Sequence, residues 1–139
     1  METLQSFSQK LAIKLNSLRP RTCGLEWRFH GELGDLIEYD NSMIGVIQFA
    51  TSTEEIYGNR TQRLEGTLTG QVICEQADNH DIQRALDQLQ AIVYDYIGGL
   101  RYTDVGDAVV LQGTCDSILT NTDGQKWTFV LPLNLVVQF

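Results

Sequence analysis

The chain is short of proline, cysteine and histidine, and each scarcity narrows what it can be. Pro20 and Pro132 are its only prolines, which excludes a proline-rich linker or a polyproline ligand. The three cysteines, Cys23, Cys74 and Cys115, lie far apart, and none stands in a CxxC or CxxH pair. An odd count without a pairing pattern points to reduced thiols in a cytosolic protein. Each lies in or beside an apolar segment, where a free thiol behaves as a small hydrophobe. No apolar run approaches about 18 residues, and no basic-then-apolar leader is present, so neither a membrane span nor secretion is expected. Asn59–Arg60–Thr61 has the form of a glycosylation sequon, which means nothing without a secretory route. Basic residues are scarce too: 10 Lys and Arg against 18 Asp and Glu leave a net charge of −8. A domain so acidic repels phosphate, so a module that reads DNA or RNA is not expected. The excess acid keeps the surface solvated. A sharper, second reading is that the acid lines a passage through which DNA slides without sticking.

What is present is an ordinary globular balance. The 139 residues are 42% hydrophobic and 20% charged, enough for one domain over residues 1–139 with a core that needs no disulfide or metal. The twelve glycines are scattered and form no repeat. Leu4, Phe7, Leu11, Leu15 and Leu18 recur at spacings of three and four and predict an amphipathic first helix, with Thr3 as N-cap and Pro20 as its stop. Leu25, Trp27 and Phe29 alternate with Glu26, Arg28 and His30, the period of a half-buried strand. An acidic stretch follows, holding Glu32, Asp35, Glu38 and Asp40, and Asp40–Asn41–Ser42 reads as a turn. Ile44 to Ala50 is apolar on both faces and predicts a central strand. Residues 51–62 read as an exposed loop or an extension of two strands. Leu64 to Cys74 alternates as a strand with one polar face.

Ile82, Ala85, Leu86, Leu89, Ile92, Val93 and Tyr96 make one continuous stripe and predict a second helix over 79–97. Asp78 is its expected N-cap, and Gly98–Gly99 offers a residue able to take positive φ at its end. Strands are predicted at 108–112 and 114–119, around Gly113. Asp123–Gly124 predicts a hairpin turn. In the final strand, 127–139, Leu131, Leu133, Leu135, Val137 and Phe139 share a core-facing parity, and Pro132 is expected to split the strand or to place it at an edge or a bulge. Helix, strands, helix, strands is an α+β order: an antiparallel or mixed β-sheet with two α-helices packed on one face.

Chemistry is thinly represented. His30 falls on the polar side of its strand and His80 at a helix start, both better read as surface residues than as bases. His80 with Asp78 and Asp81 is the only local cluster of metal-ligating types, and helix capping explains the acids. The acids at 32–40 do not form a calcium loop, and phosphate-binding and nucleophile-elbow motifs are absent. No catalytic residue, cofactor or metal is expected, and the chain reads as a non-enzyme. A small cytosolic ligand-binding domain would need a pocket served by His30, Tyr94 or the acids at 32–40.

One stretch does resemble a known family. In residues 56–97 an aromatic–Gly turn, Tyr57–Gly58, precedes an Arg-bearing strand with Arg60 and Arg63. Leu64 to Cys74 alternates after it. A short acidic turn leads into a helix in which Ala85, Leu89 and Ile92 repeat. Trp127 then opens a long apolar final strand. This pattern resembles that of the tail-terminator, or tail-completion, minor capsid proteins of tailed bacteriophages. Residues 1–50 match in pattern only, and the acidic stretch at 31–41 matches no feature of that family. The resemblance implies a virion structural protein assembled in the host cytoplasm. It would form a homo-hexameric ring that caps the head-proximal end of the tail tube, ends tube polymerisation and docks on the head connector or stopper protein. DNA would pass through without specific binding, and no membrane is involved. Another neck or head-completion protein, a stopper or adaptor, is the nearest alternative. A ring of this kind needs a head-to-tail interface, for which the first helix and the 51–62 region, with Glu54, Glu55, Tyr57, Arg60 and Arg63, are the candidates. Glu32, Asp35, Glu38 and Asp40 are the candidate acids of the lumen.

Exposed charges contribute only about 0–1 kcal/mol to stability. The double charge reversal Glu54→Lys with Glu55→Lys is therefore expected to weaken self-association while leaving the denaturation midpoint nearly unchanged. Unaltered sedimentation of the variant would remove this region from the interface.

Overall fold

The apolar stripe of the first segment folds as α1 (Leu4–Asn16) and buries Phe7, Leu11, Ala12 and Leu15. The computed structural model describes residues 4–21, 24–31, 41–55, 61–74, 79–123 and 126–139, with 51–55, 79 and 123 as backbone alone. The expected caps Thr3 and Asp78 lie outside the described residues. After α1 come β1 (Glu26–His30), β2 (Ser42–Glu55) and β3 (Thr61–Ile73), then α2 (Asn79–Gly98) and four strands: β4 (Thr103–Val105), β5 (Ala108–Cys115), β6 (Leu119–Asp123) and β7 (Lys126–Gln138). The strands form one seven-stranded sheet in the order β1-β2-β3-β7-β5-β4, with β6 also paired to β7. All pairs are antiparallel except β1 with β2, which run parallel. The fold is α+β with a mixed sheet.

Register decides which side chains share a face. Ile47, Leu68 and Leu131 stand level across β2, β3 and β7, as do Met43, Val72 and Trp127. With Leu64, Leu133, Leu135 and Val137 they join the apolar stripes of α1 and α2 in a single core. Phe7 locks α1 onto this layer: its ring lies 5.7 Å from that of Phe49 and 6.0 Å from that of Phe139. Among the described residues no helix lies on the opposite sheet face. Ile44, Val46 and Val136 are buried on that side, apart from the core cluster. From Ser42 to Ile47 β2 is thus buried on both faces, while Gln48 and Ala50 are exposed.

Residues 51–55 continue β2 and Thr61 opens β3, the extension of two strands that is the second of the two readings of this segment. Three details differ from the expectations. The two short strands expected around Gly113 are one, β5, with an extra residue at Leu111: Val110 pairs with Val137 and Gln112 with Val136. Pro132 neither splits β7 nor puts it at an edge. It pairs level with Thr67 in an unbroken ladder, and its carbonyl accepts the Asp116 N–H at 3.1 Å. In an antiparallel strand the nitrogen of a residue points the same way as its carbonyl. The nitrogen of Pro132 therefore faces the gap where β5 ends and β6 has not begun, and no partner there requires an N–H. Finally, α2 closes without positive φ at Gly98 or Gly99. The Gly99 N–H donates to the Asp95 and Tyr96 carbonyls, and the left-handed residue is Tyr102, at φ 49°.

Turn chemistry elsewhere follows the residues. Asn41 takes φ 57°, which asparagine tolerates, and its carbonyl accepts the Glu26 N–H at 2.8 Å, tying the start of β1 to that of β2. Gly106, at φ 64°, opens the two-residue turn between Val105 and Ala108, the position where a type II′ hairpin demands glycine. Gly70 pairs with Gly45 at a point of close strand approach. A Cβ on Gly70 would lie 2.0 Å from the Ile44 carbonyl oxygen, whereas one on Gly24 would meet nothing within 4 Å. Gly70→Ala is accordingly expected to destabilise the fold by about 3 kcal/mol, and Gly24→Ala to stay within about 0.5 kcal/mol. Urea unfolding of the pair measures the contrast, and equal midpoints would refute the close approach.

Candidate functional site

The helix-free face of the sheet is where this chain departs from a plain half-buried surface. Side chains there come from the polar parity of each strand: Arg28 and His30 of β1, Gln48 of β2, Thr67, Thr69 and Gln71 of β3, Thr128 and Asn134 of β7. Hydroxyls and amides dominate it. Thr69 Oγ1 donates to Thr67 Oγ1 at 3.1 Å, and Arg28 Nε donates to the buried Ser42 hydroxyl at 3.2 Å.

Across β3, β7 and β5 this face is hollow. An open groove of about 280 Å³ is lined by Arg63, Glu65, Gln112, Thr114, Asn134 and Val136, with Gly113 and Leu135 beneath. Pairing explains its order. Arg63, Val136 and Gln112 form one row across the three strands, and Glu65, Asn134 and Thr114 form the next. The rows exist because of the extra residue at Leu111. Were Leu111 paired in the ladder, Gln112 would fall level with Leu135 and point into the core; the bulge shifts it to the polar face, a use to which bulges are commonly put. The groove offers one guanidinium, one carboxylate, two amides and a hydroxyl. It can hold a polar partner through hydrogen bonds. It brings together no nucleophile with a base, since His30 lies on the far strand β1 and His80 is exposed at the start of α2.

Of the candidate interface residues, Arg63 is exposed on β3 and lines this groove. Glu54 and Glu55 belong to the end of β2, described as backbone only. Tyr57 and Arg60 lie outside the described residues, as do Glu32, Asp35, Glu38 and Asp40. His80 approaches Arg84, with ring Nε2 3.4 Å from the guanidinium, and Tyr94 is exposed on α2. Glu65, Gln112, Thr114 and Asn134 were not singled out from the sequence; their grouping depends on the β3–β7–β5 register and on the bulge, which no local pattern announces. Among the described residues no three of His, Cys, Asp and Glu group as a metal site would require, and no helix is long and apolar enough to cross a membrane.

Compared with protein-family models and with curated proteins, the chain matches none.

Neither described thiol, Cys74 or Cys115, lines the groove. Cys115 faces the core at the end of β5, where burial first and the neighbouring Asp116 carboxylate second raise its pKa to about 11. Burial likewise raises the Tyr96 phenol. A group whose pKa is higher in the folded state favours folding below its unfolded value and loses that contribution as the pH climbs to the folded one. Stability is thus expected to fall between pH about 9 and about 11, and Cys115→Ala should flatten part of that fall. An unchanged pH profile of the denaturation midpoint in the variant would exclude the thiol as a cause.

Proposed function

We propose that this chain is a phage assembly protein of the tail-terminator type, a subunit of a ring that caps the head-proximal end of a tail tube and joins it to the head. The observation that carries the reading is the two-sidedness of the sheet. Both helices pack on one face, while the other, among the described residues, carries no helix and is lined by hydroxyl and amide groups with few, scattered charges: Arg28, Arg63 and Lys126 against Glu65. A face of that kind suits the wall of a channel: it offers a passing phosphate backbone no basic stripe to adhere to, and the net charge of −8 disfavours condensation of DNA on the subunit as a whole. The pattern of residues 56–97 and of the final strand supports the same family. The groove chemistry supports assembly in preference to catalysis, since polar rows on a sheet serve contact between surfaces.

Subunits of a ring meet head to tail, each copy using two different surfaces. The test is tube assembly. Purified protein added to polymerising tube protein of the same phage should yield tubes of fixed length bearing a ring with a hole of at least about 20 Å, wide enough for duplex DNA, at one end. Tubes made without it should run on. Rings bound to the head connector but absent from tube ends would move the assignment to a stopper or adaptor, and no effect on tube length would reject the terminator role.

A further inference from the structure

An open sheet exposes unpaired N–H and C=O groups along its edges, a template for any strand that fits. Among the described residues the β1 edge is guarded, while β6 and the far part of β2 have no such cover. At β1 the guard is the end of α1. Asn16 Nδ2 donates to the Phe29 carbonyl at 3.0 Å, the Phe29 N–H donates to Asn16 Oδ1 at 2.9 Å, and Arg19 Nε donates to the Leu25 carbonyl at 2.7 Å. One side chain from the last residue of α1 and one from the segment just after it thus stand in for a neighbouring strand. β6 has no such cover among the described residues. It pairs only with β7, in unbroken register from Leu119 opposite Val130 to Asp123 opposite Lys126. It contains no bulge, proline or lysine, the usual means of blunting an edge. Leu119 is 64% exposed, and Thr120, Asn121 and Thr122 are exposed on both sides of the strand. β2 is open as well: β1 covers it only from Ser42 to Val46, and beyond Ala50 it pairs, among the described residues, with β3 alone, with a register shift between Thr51 and Glu55 that leaves its outer side without a partner strand.

We propose that these two edges are one interface: β6 of each copy adds antiparallel to the Ala50–Glu55 part of β2 in the next copy, joining the sheets into a closed ring. The proposal rests on the ring reading above and names the surfaces that make the ring. Direction favours it. From β2 through β3 and β7 to β6 every step is antiparallel, so β6 runs opposite to β2. Copies related by rotation about an axis inclined along the strands then meet with these two edges antiparallel, the more stable ladder. Space favours it too, because β1 stops at His30 opposite Val46 and, among the described residues, no strand pairs with that side of β2 beyond it.

The stagger fits closure. With Asn121 opposite Ala50 of the neighbour, the two edges differ in level by the distance from Thr128 to Asn134 on β7, about 20 Å at strand rise. Across β2, β3, β7 and β6 the sheet is about 19 Å wide. Copies at one height then require strands inclined about 45° to the ring axis, at the upper end of the tilt closed barrels adopt. Handedness assigns the faces. Seen from the helix side with β7 pointing up, the Pro132 side chain points away and its carbonyl, bonded to Asp116, turns left. β5 and β6 therefore lie left of β7, and β2 lies right. The stagger leans the strands rightward in this view, and with the natural hand of sheet twist that view is from outside a barrel. The helices fall outside, and the helix-free face with Arg63 and Thr114 faces the channel.

Cysteine cross-linking decides the matter. The double variant Ala50→Cys with Asn121→Cys, oxidised with and without tail tubes, should form a covalent ladder of oligomers. The wild type and the two single variants control for the native thiols. Dimers from Asn121→Cys alone would mean that β6 pairs with itself across a two-fold axis, and no covalent oligomer under any condition would equally overturn the proposal. Thr122→Lys, at an exposed position, should weaken association at least tenfold with the fold intact by circular dichroism; undiminished association would also overturn it. The ring-to-tube reading fails separately. A 50–121 cross-link in protein that does not cap tubes upholds the pairing and rejects the tail role, whereas rings on tubes without the cross-link reject the pairing alone.

Discussion

The ladder between β3 and β7 is the constraint on which the other elements depend. Its register runs unbroken from Thr61 opposite Gln138 to Val72 opposite Trp127. It sets Leu64, Leu68 and Val72 level with Leu135, Leu131 and Trp127 on one face, and Arg63, Glu65 and Thr67 level with Val136, Asn134 and Pro132 on the other. Because side chains alternate with a period of two, a slip of one residue would exchange the faces, turning leucines to water and an arginine to the core. No other pairing in the sheet is so widely specified by burial. β2 takes its register from β3, β5 and β6 take theirs from β7, and both helices dock on the apolar face this ladder defines.

Much of this was legible from the order of residues alone. The two helices announce themselves through unbroken stripes, and β3 and β7 through strict alternation, because in each case the burial that stabilises the element is the same pattern that a reader sees. Legibility fails where structure depends on a partner distant in sequence. Pro132 looks like an edge residue until one knows that its nitrogen faces the junction of two short strands. The residues up to Glu55 leave loop and strand extension open, since they are polar and only the ladder to β3 decides between them. Leu111 carries no mark of a bulge, yet the bulge sets the parity of Gln112 and so composes the polar groove. Of the five interface candidates, only Arg63 has a described side-chain position; it lies in that groove, beside residues that only the register brings to it.

Pro132 and Leu111 also act together. One side of β7 is shared by β5 and β6, and the proline stands where they meet. A residue able to donate there would leave an N–H with no strand to receive it, a penalty of about 1–3 kcal/mol if buried; proline removes the donor. The bulge lies a few residues away, between Val110 and Gln112, and adds local twist to β5. These irregularities divide one side of the strand into two docking places, of which one carries the groove and the other the open edge of β6.

Leaving an edge open is a liability for a protein that works alone, because any unpaired strand in the cell can add to it. The chain has the means to close an edge, as Asn16 and Arg19 do for β1, and Leu119 on β6 is a position where a lysine would serve at little effect on the fold. That β6 carries no such guard is economical only if the edge has a proper occupant. A net charge of −8 then has a second consequence. Copies repel at a distance, which suppresses random edge-to-edge contact, while at close range the regular backbone ladder favours only a neighbour presented in register. Repulsion far away and hydrogen bonding nearby together select an ordered ring over an aggregate, and they would make its assembly responsive to salt, which screens the first without weakening the second.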